Sequence, residues 1–183
     1  MALPPIDPDT LTPAQQVVHD AIAGGGRGGV RGPFTVMLHA PALTARMEKV
    51  GHYLRYEGTL PDRARELAIL IVARHHRCDT ECMSHRDIAL RAGLPETLLA
   101  DIAATREPAF EDATDRVVHH FVRATIAGGE MADNVLQPAL DAFGTEGTVE
   151  LNIVVGYYTL LAMLLVSFGV PSAGGPAPWN SAG

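Results

Sequence analysis

The chain has 183 residues, 47% hydrophobic and 19% charged, which is the balance of a globular protein and not of a disordered one. Lys and Arg number 14 against 21 Asp and Glu, a formal charge of −7, and no basic cluster stands out, so nucleic acid is excluded as an expected partner. Residues 1–10 form a Pro-rich lead-in with neither a basic start nor an apolar run. No signal peptide is expected there, and a cytoplasmic protein is the expectation.

Thr12-Pro13 opens a helix expected to run to about Ala23. Gly24 to Gly32 is a glycine-rich loop. It follows a helix and lacks the Gly-Lys-Ser/Thr ending of a phosphate cradle, so a loop beside a site or interface is the better reading. Pro41 starts a helix to about Glu57, and Gly58 breaks it. Pro61 opens the next, whose apolar positions Ala64, Leu67, Ala68, Leu70, Ile71 and Val72 cover more than one stripe, so it is expected to be buried. The chain turns at His75 to Thr80, and Asp79 or Thr80 can cap a helix to Arg91. Further helices are expected from Pro95 to Ala104, Phe110 to Ala127 and Met131 to Phe143, the last bent at Pro138, and from Thr148 to Phe168.

No strand alternation occurs, so the fold is expected to be all-α. A single helical domain over residues 11–171 is expected, followed by a flexible tail over 172–183. Leu151 to Val170 is 20 residues without a formal charge, long enough to span a membrane. It contains Asn152, Gly156, Thr159, Ser167 and Gly169 and no Lys or Arg follows it, so a buried core or subunit-interface helix is expected and no membrane partner. Residues 66–72 and 150–156 echo each other at an offset of 84, which suggests two related hairpins packed together.

The reactive residues concentrate after His75. In a helix, Cys78, Cys82 and His85 stand at i, i+4 and i+7, on one face, with Glu81 at its border. Glu66 lies on the preceding helix, an antiparallel neighbour if the connection is short, and its partial burial would raise its pKa. Cys78, near a helix N-terminus, is expected to be the more acidic thiol. His75, His76, Cys78, Cys82 and His85 complete no standard ligand pattern, so no metal is expected. Structural pairing of Glu66 with His85, and Cys78 and Cys82 as small core residues, remain the alternatives to chemistry.

The run Arg65-Glu66-Leu67-Ala68-Ile69-Leu70, with Cys78, Glu81, His85 and Leu90-Arg91-Ala92-Gly93-Leu94, resembles the carboxymuconolactone decarboxylase family of the alkylhydroperoxidase D-like superfamily. Gly32-Pro33-Phe34, Leu38-His39-Ala40-Pro41 and Glu150-Leu151 with Gly156-Tyr157-Tyr158 add context. The peroxidase branch carries Cys at position 81 in a Cys-x-x-Cys pair. Here Glu81 occupies it, and the second thiol is Cys82. The decarboxylase-like branch tends to carry Glu there, followed by an aromatic residue and a His pair, where this chain has Cys82, Ser84 and His85.

The resemblance implies an all-helical homo-oligomer, commonly a trimer or hexamer, acting on a small molecule. The favoured expectation is a cofactor-independent lyase-like enzyme on a small organic anion. His85 would be the general acid/base, Glu81 and Glu66 its partners and Cys78 an auxiliary thiol, with His39 and Cys82 at the substrate. The first rival is a thiol peroxidase using Cys78 and Cys82. The second is a non-catalytic oligomeric binding protein.

Overall fold

The computed structural model describes residues 3, 6–25 and 29–180. Gly26, Arg27 and Gly28 of the glycine-rich loop, and residues 181–183 of the tail, lie outside the described residues. Among the described residues the regular structure is helical throughout. The helices are α1 Pro13–Ala23, α2 Phe34–Met37, α3 Pro41–Tyr56, α4 Asp62–His75, α5 Asp79–Arg91, α6 Glu96–Ala103, α7 Ala113–Ala127 and α8 Asp133–Ser167.

Local chemistry sets most boundaries. Thr12 and Gln15 form a reciprocal capping box at the start of α1, and Pro13 takes the first helical position. The connection between α4 and α5 is short, so the two pack as an antiparallel hairpin. Neither Asp79 nor Thr80 caps α5: both are helical, and Cys78 holds the N-cap position without a side-chain cap bond. α7 begins at Ala113, three residues later than its apolar pattern suggests, because the Asp112 side chain accepts a hydrogen bond from the Thr114 N–H and starts the helix there.

α8 stays helical through Pro138, where a bend is expected, and breaks at Gly144, in the expected gap between the helix ending at Phe143 and the one beginning at Thr148; a φ of 66° and ψ of −177° suit a residue without a Cβ. Helix α4 is the hub, packing on α5, α7 and α8, and Leu67, Ala68, Ile69, Val72 and Ala73 on it are fully buried. The apolar stretch of α8 has the length and hydropathy of a membrane span, with half of its most apolar window buried inside the bundle. Leu151, Val154, Val155, Tyr158, Leu161 and Leu165 form that buried side.

The echo between residues 66–72 and 150–156 covers one helix only. α4 is followed by α5, whereas α8 ends at Ser167 and the chain turns away at Gly169, which has a positive φ. The two echo glutamates do share one trait: Glu66 and Glu150 are both buried. The tail packs back on the bundle as far as residue 180. Ala177 is fully buried, and the Arg74 guanidinium lies 5.3 Å from the centre of the Trp179 ring.

Candidate active site

Helix α5 turns Thr80, Glu81, Ser84, His85 and Ile88 toward a cavity of about 400 Å³. Gly29, Arg31 and Gly32 of the glycine-rich loop close one side. Arg55 and Tyr56 from the end of α3 and Tyr158 and Leu161 from α8 close others. The loop therefore borders the site through its second half, as a loop beside a site should.

His85 is held from both ends. Its Nδ1 lies 2.6 Å from Glu66 Oε2, and its Nε2 lies 3.4 Å from Glu81 Oε2. All three side chains are buried, Glu66 completely. Glu66 reaches His85 because α4 and α5 pack antiparallel, and Glu81 reaches it because residues four apart share a helix face. The ring edge of His85 meets Tyr158 at a centroid distance of 5.2 Å and an interplanar angle of 88°. Glu66 does not line the cavity; it stands behind the imidazole, where Arg65 Nε is 3.3 Å from its Oε1.

Burial alone would raise the pKa of Glu66, as expected from its sequence setting. The His85 hydrogen bond and the charges of His85, Arg65 and Arg55 outweigh that desolvation and hold the carboxyl below its ordinary value. Glu66 is therefore an ionised acceptor, and the Nδ1–H of His85 donates to it. That leaves Nε2 facing Glu81 and the cavity. Burial pushes the pKa of the Tyr158 hydroxyl up, so it stays protonated beside the ring.

The thiols stand elsewhere. Because α5 starts at Asp79, Cys78 is outside the helix, where it packs with Ala162 and Leu165. Cys82 is turned roughly a third of a turn from the cavity face and lines a separate cleft with Leu70, Arg86, Leu99 and Trp179. Cys78 borders another cleft beside Leu165 and Val170. The expectation that Cys78, Cys82 and His85 share one face is thus corrected. So is the expected acidity of Cys78: burial pushes both thiols up to about 11, and the helix N-terminus does not offset it. Both cysteines are free.

His39 is exposed in the connection between α2 and α3 and does not line the cavity. Sequence reasoning missed Arg31, Arg55 and the contact of Tyr158 with His85, all of which depend on tertiary packing. It also missed the role of Glu150. Its Oε2 accepts from the backbone N–H of Thr59 at 2.8 Å and of Leu60 at 2.9 Å, and from Thr59 Oγ1 at 3.0 Å. Tyr53 Oη donates to Oε1 at 2.7 Å. This carboxylate ties the end of α3 and the entry to α4 onto α8, and so fixes the helix that carries Glu66.

The chain is thus an all-helical protein with a buried carboxylate–imidazole–carboxylate triplet at the wall of a polar cavity. The sequence model of the carboxymuconolactone decarboxylase family matches residues 41–127, from α3 to the end of α7. The matched span contains Glu66, Cys78, Glu81 and His85. Among curated proteins, none matches the chain.

Proposed function

We propose that the chain is a cofactor-independent, lyase-like enzyme of the carboxymuconolactone decarboxylase type, moving a proton on a small organic anion. The observation that carries this reading is His85, buried between Glu66 and Glu81 and opening on a cavity that also holds Arg31 and Arg55. The two guanidinium groups suit a carboxylate-bearing substrate. The imidazole takes a proton from the substrate on Nε2. As imidazolium it is stabilised by the carboxylates on both sides, and it returns the proton to the atom that has gained the electron pair. Glu66 acts through His85 as a positioning residue, and Glu81 shares the cavity wall with it.

The high pKa values of Cys78 and Cys82 favour this reading over a thiol peroxidase, which needs a thiolate at neutral pH. An unbiased metabolite screen by mass spectrometry, wild type against His85→Ala, tests it. A small carboxylate consumed by wild type and spared by the variant is expected. Equal consumption by both, or turnover of an organic hydroperoxide with a dithiol reductant, would defeat it.

We also propose that the chain works as a homo-oligomer. On α8, Val149, Ile153, Gly156, Leu160 and Met163 are exposed at spacings of 4, 3, 4 and 3. That is the seam of a helix packed on another helix, and it points away from the bundle. Light scattering should give a particle larger than 19.5 kDa. A clean monomer at working concentration would remove this part of the proposal.

A further inference from the structure

Away from the His85 cavity, Glu107, His119 and His120 each offer one ligand atom, and these atoms lie within 4.8 Å of one another. Glu107 sits in the segment between α6 and α7, and the two histidines sit in the middle of α7. Adjacent residues of a helix point about 100° apart and ordinarily serve different surroundings. Here the two rings are 5.7 Å apart between centroids, and Phe110 packs on both, at 5.2 Å from His119 and 6.3 Å from His120.

Two further features mark the cluster. His119 is only 4% exposed, and its Nδ1 is buried with no hydrogen-bond partner among the described residues. A buried polar atom left unpaired is costly and rare, so an imidazole in that state calls for a ligand. His120 Nε2 and Glu107 Oε1 stand 3.8 Å apart, too far for a hydrogen bond.

We propose that Glu107, His119 and His120 form a binding site for a divalent transition-metal ion, with Zn²⁺ the best chemical fit. Two imidazoles and one carboxylate are a borderline N/O donor set that leaves a coordination position open. Zinc ligands lie about 2.0–2.2 Å from the ion, so neighbouring donor atoms in a tetrahedral site are about 3.3 Å apart. Glu107 and His120 are exposed and can swing inward by the distance needed, while buried His119 is the fixed anchor. Bound there, the ion ties the segment before α7 to the middle of that helix. The site shares no lining residue with the His85 cavity, so this proposal stands apart from the proposed activity.

The test uses the full-length protein stripped of metal by a chelator. Titration with Co²⁺ is expected to bind one ion per chain, with visible d–d absorption, and Zn²⁺ should displace it and raise the melting temperature. Loss of even an outer-shell partner weakens metal affinity by about 10–100-fold, so Glu107→Gln and His120→Ala should each weaken binding at least about tenfold. Both residues are exposed, so neither variant threatens the fold. Absence of stoichiometric binding would overturn the proposal. So would equal affinity in both variants, or a thiolate charge-transfer band placing the ion at Cys78 or Cys82.

Discussion

Glu66→Gln is expected to slow turnover about 100-fold or more while leaving KM near its wild-type value. Glutamine keeps the shape of the side chain and an acceptor oxygen for the His85 Nδ1–H. What it removes is the negative charge 2.6 Å from the ring, which stabilises the imidazolium formed when His85 takes a proton. Glu66 does not line the cavity, so substrate binding should hardly change, and the loss should fall on kcat.

The charge also sets a pH dependence. Because the folded-state pKa of Glu66 is held below its ordinary value, its stabilising contribution is fully present above the ordinary carboxylate range. It is lost as pH falls through the lowered value. In Glu66→Gln that acid-side loss of stability should shrink. Unchanged kcat together with a lower melting temperature would mean that the triplet is only structural.

Glu150→Ala is expected to destabilise the protein by about 3 kcal/mol, because it removes the acceptor of several hydrogen bonds worth about 1 kcal/mol each and leaves the buried Leu60 N–H unpaired. The Thr59 and Leu60 N–H groups lose their acceptor at the entry to α4, and the Tyr53 hydroxyl loses its acceptor as well. For a chain of this size that corresponds to a drop of roughly 6–12 °C in melting temperature. Glu150→Gln keeps one acceptor oxygen and should cost less. A melting temperature unmoved by Glu150→Ala would show that this carboxylate does not anchor the α3–α4 connection to α8.

Much of the fold is legible in the sequence because proline and glycine punctuate it. Pro13, Pro41, Pro61 and Pro95 stand at or just before helix starts, and Gly24, Gly93 and Gly128 stand just after helix ends. The break inside α8 is legible as well: one helix is expected to end at Phe143 and the next to begin at Thr148, and the chain breaks at Gly144 with a positive φ. The bend expected at Pro138 does not form, because the chain stays helical through it. Nothing local distinguishes Gly144 from Gly147, which remains helical.

The candidate site divides in the same way. Glu81 and His85 are legible from i, i+4 spacing, and Glu66 from the hairpin that faces them. The cysteines were misread because the face a helical residue occupies depends on where the helix begins. Placing Cys78 inside α5 brings the thiols and the imidazole together, whereas placing it at the N-cap sends them to different surroundings. Arg55, Tyr158 and Glu150 reach their partners over long stretches of chain, and no short-range pattern encodes such contacts.

The central claim is that an ionised Glu66 fixes His85 with Nδ1 protonated and Nε2 turned to Glu81 and the cavity. NMR of the protein with ¹⁵N-labelled histidine reads this directly. The prediction is a proton on His85 Nδ1, shifted downfield and protected from solvent exchange, that moves upfield in Glu66→Gln. A His85 ring carrying its only proton on Nε2, with Nδ1 bare toward Glu66, would contradict it.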